Sequence, residues 1–102
     1  MKYGLKEETI NKINNIFAQY SQVEEAILYG SRAKGDFKKG SDIDITLKGK
    51  KLDLSLVNKI SIEIDDLLLP YSFDLSILDQ ISSLDLLDHI KRRGIVFYSS
   101  KK

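Results

Sequence analysis

The sequence predicts an α/β (α+β) fold: a single small domain in which helices pack on one face of a mixed four-stranded sheet. Three observations predict it. The segments VEEAILY, DIDITL, FDLSIL and IVFY carry the β-branched and aromatic residues of strands, and DIDITL and FDLSIL alternate polar and apolar positions. Between them, apolar residues recur at helical spacing. The length of 102 residues suits one hydrophobic core and leaves no room for a second, so residues 1–102 are read as one domain.

Taken in order, Ile10, Ile13, Ile16 and Phe17 follow an acidic start and predict an amphipathic helix from about Lys6 to Tyr20. VEEAILY (residues 23–29) is the first strand and runs straight into Gly30, after which Ser31 opens a short helix. DIDITL (42–47) is the second strand. Its alternation sets Ile43, Ile45 and Leu47 on one face and Asp42, Asp44 and Thr46 on the other. Leu56, Ile60, Ile64, Leu67 and Leu68 form the stripe of a long helix, with Asp53 or Ser55 as its cap and Pro70 as its stop. FDLSIL (73–78) alternates again, turning Phe73, Leu75 and Ile77 inward and Asp74 and Ser76 the other way. Ser82 and Asp85 resemble a capping box ahead of a helix over 84–93, with Gly94 at its C′ position. IVFY (95–98) closes the sheet, and Lys101 and Lys102 read as a solvated tail. The leucines at 67–69, 84, 86 and 87 are expected to be mostly core.

Composition narrows the function classes. Hydrophobic residues at 42% and charged residues at 30% suit a globular chain and are too apolar for a disordered one. The formal charge of +1 implies no general polyanion-binding surface, so a nucleic-acid partner is not expected. The chain has no cysteine, which excludes disulfides, thiolate zinc sites and cysteine nucleophiles. MKYGLKEETINKI lacks the apolar core of a signal peptide, and no stretch is long enough to span a membrane. The expected location is the cytoplasm.

The chemistry concentrates in YGSRAKGDFKKGSDIDITL, residues 29–47. Strand residues two positions apart point the same way about 7 Å apart, so Asp42 and Asp44 can face one site. Alone they would repel, and a hard divalent cation such as Mg²⁺ removes that cost. If the two strands are neighbours, Asp74 adds a third carboxylate, and three can hold two metals that clamp an in-line phosphoryl or nucleotidyl displacement. Gly30 and Ser31 sit at a strand-to-helix turn, where free amides favour an anion such as phosphate. Arg32, Lys34, Lys38 and Lys39 surround the same place with positive charge, and Arg32 is the expected phosphate contact among them. A Walker-type loop is excluded, because Asp36 and Phe37 stand where Lys and Ser or Thr are required after G-x-x-x-x-G. An EF-hand is excluded by the missing ligand register. Gly35 and Gly40 read as turn residues, Tyr29 as strand packing, and His89 as a surface or half-buried structural residue.

Gly30-Ser31, ten intervening residues, Asp42-Ile43-Asp44 and then Phe73-Asp74-Leu75 resemble the minimal nucleotidyltransferases of the DNA polymerase β superfamily. The resemblance covers nearly the whole chain, including HIKRRGIVFY, which is similar to that family's terminal helix and strand. It implies a polymerase β palm-like core and Mg²⁺-dependent transfer of a nucleoside monophosphate from ATP or another NTP to a hydroxyl. Asp42 and Asp44 would ligate two Mg²⁺ ions, Asp74 would ligate the catalytic one and help deprotonate the acceptor, and Gly30 and Ser31 would hold the triphosphate. Members this short are similar to antitoxins paired with a helical HEPN-type toxin, some of which adenylylate a tyrosine of that partner. The resemblance leaves two alternatives open: a non-catalytic antitoxin that neutralises its partner by contact, or transfer to a small molecule such as an aminoglycoside or to RNA. Larger relatives carry extra domains that grip base and acceptor, and here a partner or a homo-oligomer would supply them.

Overall fold

The helix expected after the acidic start is α1 (Glu7–Ala18) in a computed structural model of the chain, which describes residues 1–100. Lys101 and Lys102, expected as a tail, lie outside the described residues. Glu7 and Glu8 complement the positive end of its dipole, and Ile13, Ile16 and Phe17 turn one face inward. The strands are β1 (Glu25–Tyr29), β2 (Ile43–Lys48), β3 (Phe73–Ile77) and β4 (Ile95–Ser99), in the spatial order β3-β2-β1-β4. β1 runs antiparallel to both β2 and β4, whereas β2 and β3 are parallel. Parallel neighbours need a long crossover. Here α3 (Leu54–Asp65) supplies it.

One face of the sheet carries Ala26, Leu28, Ile43, Ile45 and Leu47, all fully buried against α1 and α3. Burial of each large aliphatic or aromatic side chain in this cluster stabilises the fold by about 1.5–3 kcal/mol. The other face of β1 presents Ile27 and Tyr29, and α4 (Leu84–Arg93) lies beside it. There a Cβ at Gly94 would meet Ile27, and the Tyr29 and His89 rings meet edge to face. The sheet thus has a closed face for stability and a partly open face for chemistry.

Several local expectations need correction. α3 ends at Asp65, well before Pro70, so Leu67 and Leu68 fall outside it, and Leu68 has φ 54° and is 88% exposed. The last turn has no basic residue and ends on two aspartates, an unfavourable sign at the negative end of a helix. Asp53, not Ser55, caps α3, its carboxylate accepting from the Leu56 amide at 2.8 Å. α4 is capped by Ser83 rather than Ser82: the first helical residue is Leu84, and only a side chain at 83 reaches the Leu86 amide, at 3.2 Å. Gly94 follows α4 at φ −62°, so no left-handed cap forms. Glycine is required there by crowding, since a Cβ would meet the Ile90 carbonyl and Ile27. Leu84, expected in the core, is 81% exposed.

Candidate active site

Alternation along β2 buries Ile43 and Ile45 completely and turns Asp44 to the open face, half-buried. The parallel register pairs Asp44 with Asp74, and directly paired residues share a face of the sheet. The two carboxylates are therefore neighbours. Asp42, just ahead of the strand, acts on Asp44 through its charge, and both Asp42 and Asp74 are exposed. The carboxyl of Asp44 is held above its ordinary value of 3.8, first by burial and then by the charges of Asp74 and Asp42. On the other flank the antiparallel register pairs Tyr29 with Asp44. Burial pushes the Tyr29 phenol above its ordinary 10.0. The Ser76 hydroxyl, at a geometry short of a full hydrogen bond, works the other way, and the charges of Asp74 and Asp44 add to the rise.

The turn after β1 is fitted to this row. Gly30 has φ 78° and ψ −155°, a conformation that side chains other than hydrogen rarely tolerate. A Cβ there would collide with Oδ2 of Asp44. The expected tight turn thus seats a carboxylate against bare main chain. The Gly30 amide is not free for an anion, because it donates to Nε2 of His89 at 2.9 Å. Ser31 begins α2 (Ser31–Lys34), and the first amides of a helix have no intrahelical acceptor. Gly35 and Gly40, both at φ 87° with open space around them, are turn residues as expected.

Arg32, expected at a phosphate, has other partners. It is 3% exposed. Its Nε and Nη2 donate to the Ser41 carbonyl at 3.1 and 2.8 Å, and Nη1 donates to the Tyr3 carbonyl at 2.8 Å. The guanidinium also lies over the rings of Tyr71, at 4.8 Å, and Phe37, at 5.2 Å. It ties the N-terminus to the loop that ends at Asp42 and to the approach to β3. Two residues set aside in the sequence therefore meet the site: Tyr29 flanks the carboxylates, and His89 accepts from the Gly30 amide. Strand alternation from Gly30 backward would have put Tyr29 near the site, but nothing local marks a helix residue for a bond across 59 positions.

The sequence profile of the family described as Polymerase beta, Nucleotidyltransferase matches residues 11–102. The chain belongs to that family. A toxin–antitoxin crystal structure with AMP-PNP contains a chain similar to this one, with TM-score 0.70 and 22% identity over 95% of this chain and 76% of that one. A complex of a tri-AMPylated HEPN toxin with an MNT antitoxin from Shewanella oneidensis gives TM-score 0.68 at 19% identity, over 95% and 75% of the two chains. A nucleotidyltransferase-like structure from Sulfolobus solfataricus gives TM-score 0.54 at 19% identity, over 97% and 94%. These likenesses establish the nucleotidyltransferase fold. No curated protein matches the sequence.

Polymerase β-type nucleotidyltransferases are read against metal chemistry, so the donor set matters. Among the described residues no three His, Cys, Asp or Glu side chains close on one point as a ready-made metal cage. Mg²⁺ does not need one, since it keeps several waters and takes one or two carboxylates plus substrate phosphates. Hard oxygen donors that repel one another, with Asp44 pushed toward its neutral form, are what a bound cation relieves. The residues present fit Mg²⁺.

Gly30→Ala is expected to destabilise this nucleotidyltransferase by about 1–3 kcal/mol through the unfavourable φ. It should also lower kcat/KM about a hundredfold or more by displacing Asp44. Thermal unfolding and a transfer assay on one preparation measure both effects. A wild-type transfer rate would show that Asp44 does not need this seat.

Proposed function

We propose that the chain transfers AMP from ATP to a hydroxyl, a tyrosine of a helical HEPN-type protein partner, and acts as the antitoxin of that pair. One observation carries the reading: two register-paired carboxylates, Asp44 and Asp74, stand beside a turn whose glycine admits one of them against the main chain. Support for AMP and for a HEPN partner comes from the neighbours of the same fold, one with AMP-PNP and one with a tri-AMPylated HEPN toxin.

In this reading the Ser31 amide and hydroxyl bind the triphosphate. Asp42 and Asp44, with Asp74, would hold two Mg²⁺ ions, which would supply charge neutralisation to the phosphates. Asp74, exposed on its strand, takes the proton of the acceptor hydroxyl. The acceptor oxygen bonds to the α-phosphorus, the bridge from α-phosphorus to the β-phosphate breaks, and pyrophosphate leaves. Arg32 fixes the loop that ends at Asp42. Half-burial of Asp44 and the wall formed by Tyr29 strengthen these electrostatics by reducing water.

The test incubates the chain and the product of its neighbouring gene with each α-labelled NTP and Mg²⁺. Label from ATP on a tyrosine of the neighbour is expected. Label on neither protein, together with protection from the toxin by a variant with Asp42, Asp44 and Asp74 changed to Asn, would replace this reading with neutralisation by contact.

A further inference from the structure

α4 carries a residue whose contact with the site is not explained by packing alone. The Gly30 N–H donates to Nε2 of His89 at 2.9 Å, while the same ring stands edge to face against Tyr29 with centroids 6.3 Å apart at 73°. The space that a Cβ on Gly30 would fill is occupied by Oδ2 of Asp44. Imidazole and carboxylate thus both meet Gly30, one at its N–H and the other where a side chain would stand. α4 is a firm base for the first of them, anchored by buried Ile90 and capped by Ser83.

We propose that His89 is a positioning residue for nucleotidyl transfer: by accepting from the Gly30 amide it holds the turn in its φ 78° conformation and so keeps the seat of Asp44 in place. The proposal rests on the reading of this site as a nucleotidyltransferase centre. Three consequences are built into the geometry. Nε2 must offer a lone pair, so the neutral ring carries its proton on Nδ1. The Gly30 amide is withdrawn from the triphosphate, which leaves Ser31 as the first amide available to it. Because the bond acts on a ligating side chain through the backbone, its loss should change the rate of the chemical step more than the affinity for ATP.

Two variants separate this role from simple packing. His89→Phe keeps an aromatic edge on Tyr29 and removes the acceptor, whereas His89→Gln keeps an acceptor and removes the ring. For His89→Phe, kcat is expected to fall about tenfold with KM for ATP changed less than about twofold, the effect of one lost hydrogen bond. Its Gly30 amide should exchange with deuterium about tenfold faster. His89→Gln should recover most of both. In the wild type, a scalar coupling across the hydrogen bond between the Gly30 and His89 Nε2 nitrogens is expected, and it reads the bond whether or not either variant folds. A missing coupling overturns the proposal, as does equal impairment of both variants or a wild-type kcat in His89→Phe. If the wild type transfers nothing, the functional reading fails, while the coupling and the Gly30 exchange still decide whether His89 holds the turn.

Discussion

Replacing Asp42 and Asp44 together by Asn is expected to reduce nucleotidyl transfer on the order of a thousandfold or more while leaving the fold intact. In the proposed reading, the loss follows from removing two of the three carboxylates that would hold the metal. The intact fold follows from the face they occupy: neither side chain belongs to the buried cluster, which is built from Ile43, Ile45 and Leu47 on the other side of β2. Stability should even rise slightly in the absence of metal. The carboxyl of Asp44 is raised above its ordinary 3.8 by burial, then by Asp74 and Asp42. A raised folded-state value means that the group contributes stability fully only below the unfolded value, and that this contribution is lost as pH rises through the folded value. At neutral pH an ionised Asp44 therefore opposes folding, and Asn removes the opposition. Thermal unfolding with and without Mg²⁺ checks this: the ion should raise Tm of the wild type and leave the double variant unmoved. A double variant that still transfers AMP, or that still gains stability from Mg²⁺, would remove these residues from the site.

Arg32→Ala is expected to destabilise the protein by about 3 kcal/mol or more, because a buried donor set is deleted and the Tyr3 and Ser41 carbonyls are left without their partner. For a domain of this size that corresponds to a fall in Tm of more than about 10 °C. Arg32→Lys should recover little, since one ammonium cannot reproduce the fork that reaches both carbonyls while lying over Tyr71 and Phe37. Ser41 directly precedes Asp42, so release of the loop should lower transfer as well. The contrast with a phosphate ligand is direct: a residue that gripped ATP would raise KM on truncation and leave Tm within about 2 °C. That result would return Arg32 to the role its position after Gly30-Ser31 first suggested.

Residues near in sequence were read well. The period of two along DIDITL sets Asp44 on the side opposite Ile43 and Ile45, which are fully buried. Asp74 was legible only as a carboxylate on a strand. That it faces Asp44 depends on β2 and β3 being parallel neighbours in that register, with α3 as the crossover. Where end signals competed, sequence misjudged: Leu67 and Leu68 extend the apolar stripe of α3, yet the helix stops at Asp65, and Ser83 rather than Ser82 meets the Leu86 amide. Arg32 shows the same limit at the site itself. A cation after a glycine-serine turn suits phosphate, but the carbonyls of Tyr3 and Ser41 and the rings of Tyr71 and Phe37 converge on it from distant parts of the chain.

By itself the sequence determined the succession of helices and strands and the alternation that sets Asp44 opposite Ile43 and Ile45 along β2. Those features follow from backbone periodicity and local turn chemistry, which neighbouring residues set. Only the tertiary structure decided that Asp74 pairs with Asp44, that Tyr29 flanks them, that Arg32 is a buried clamp and that His89 holds Gly30. Such partnerships depend on strand register and on helices packing across the sheet, free-energy terms that arise between segments far apart in the chain.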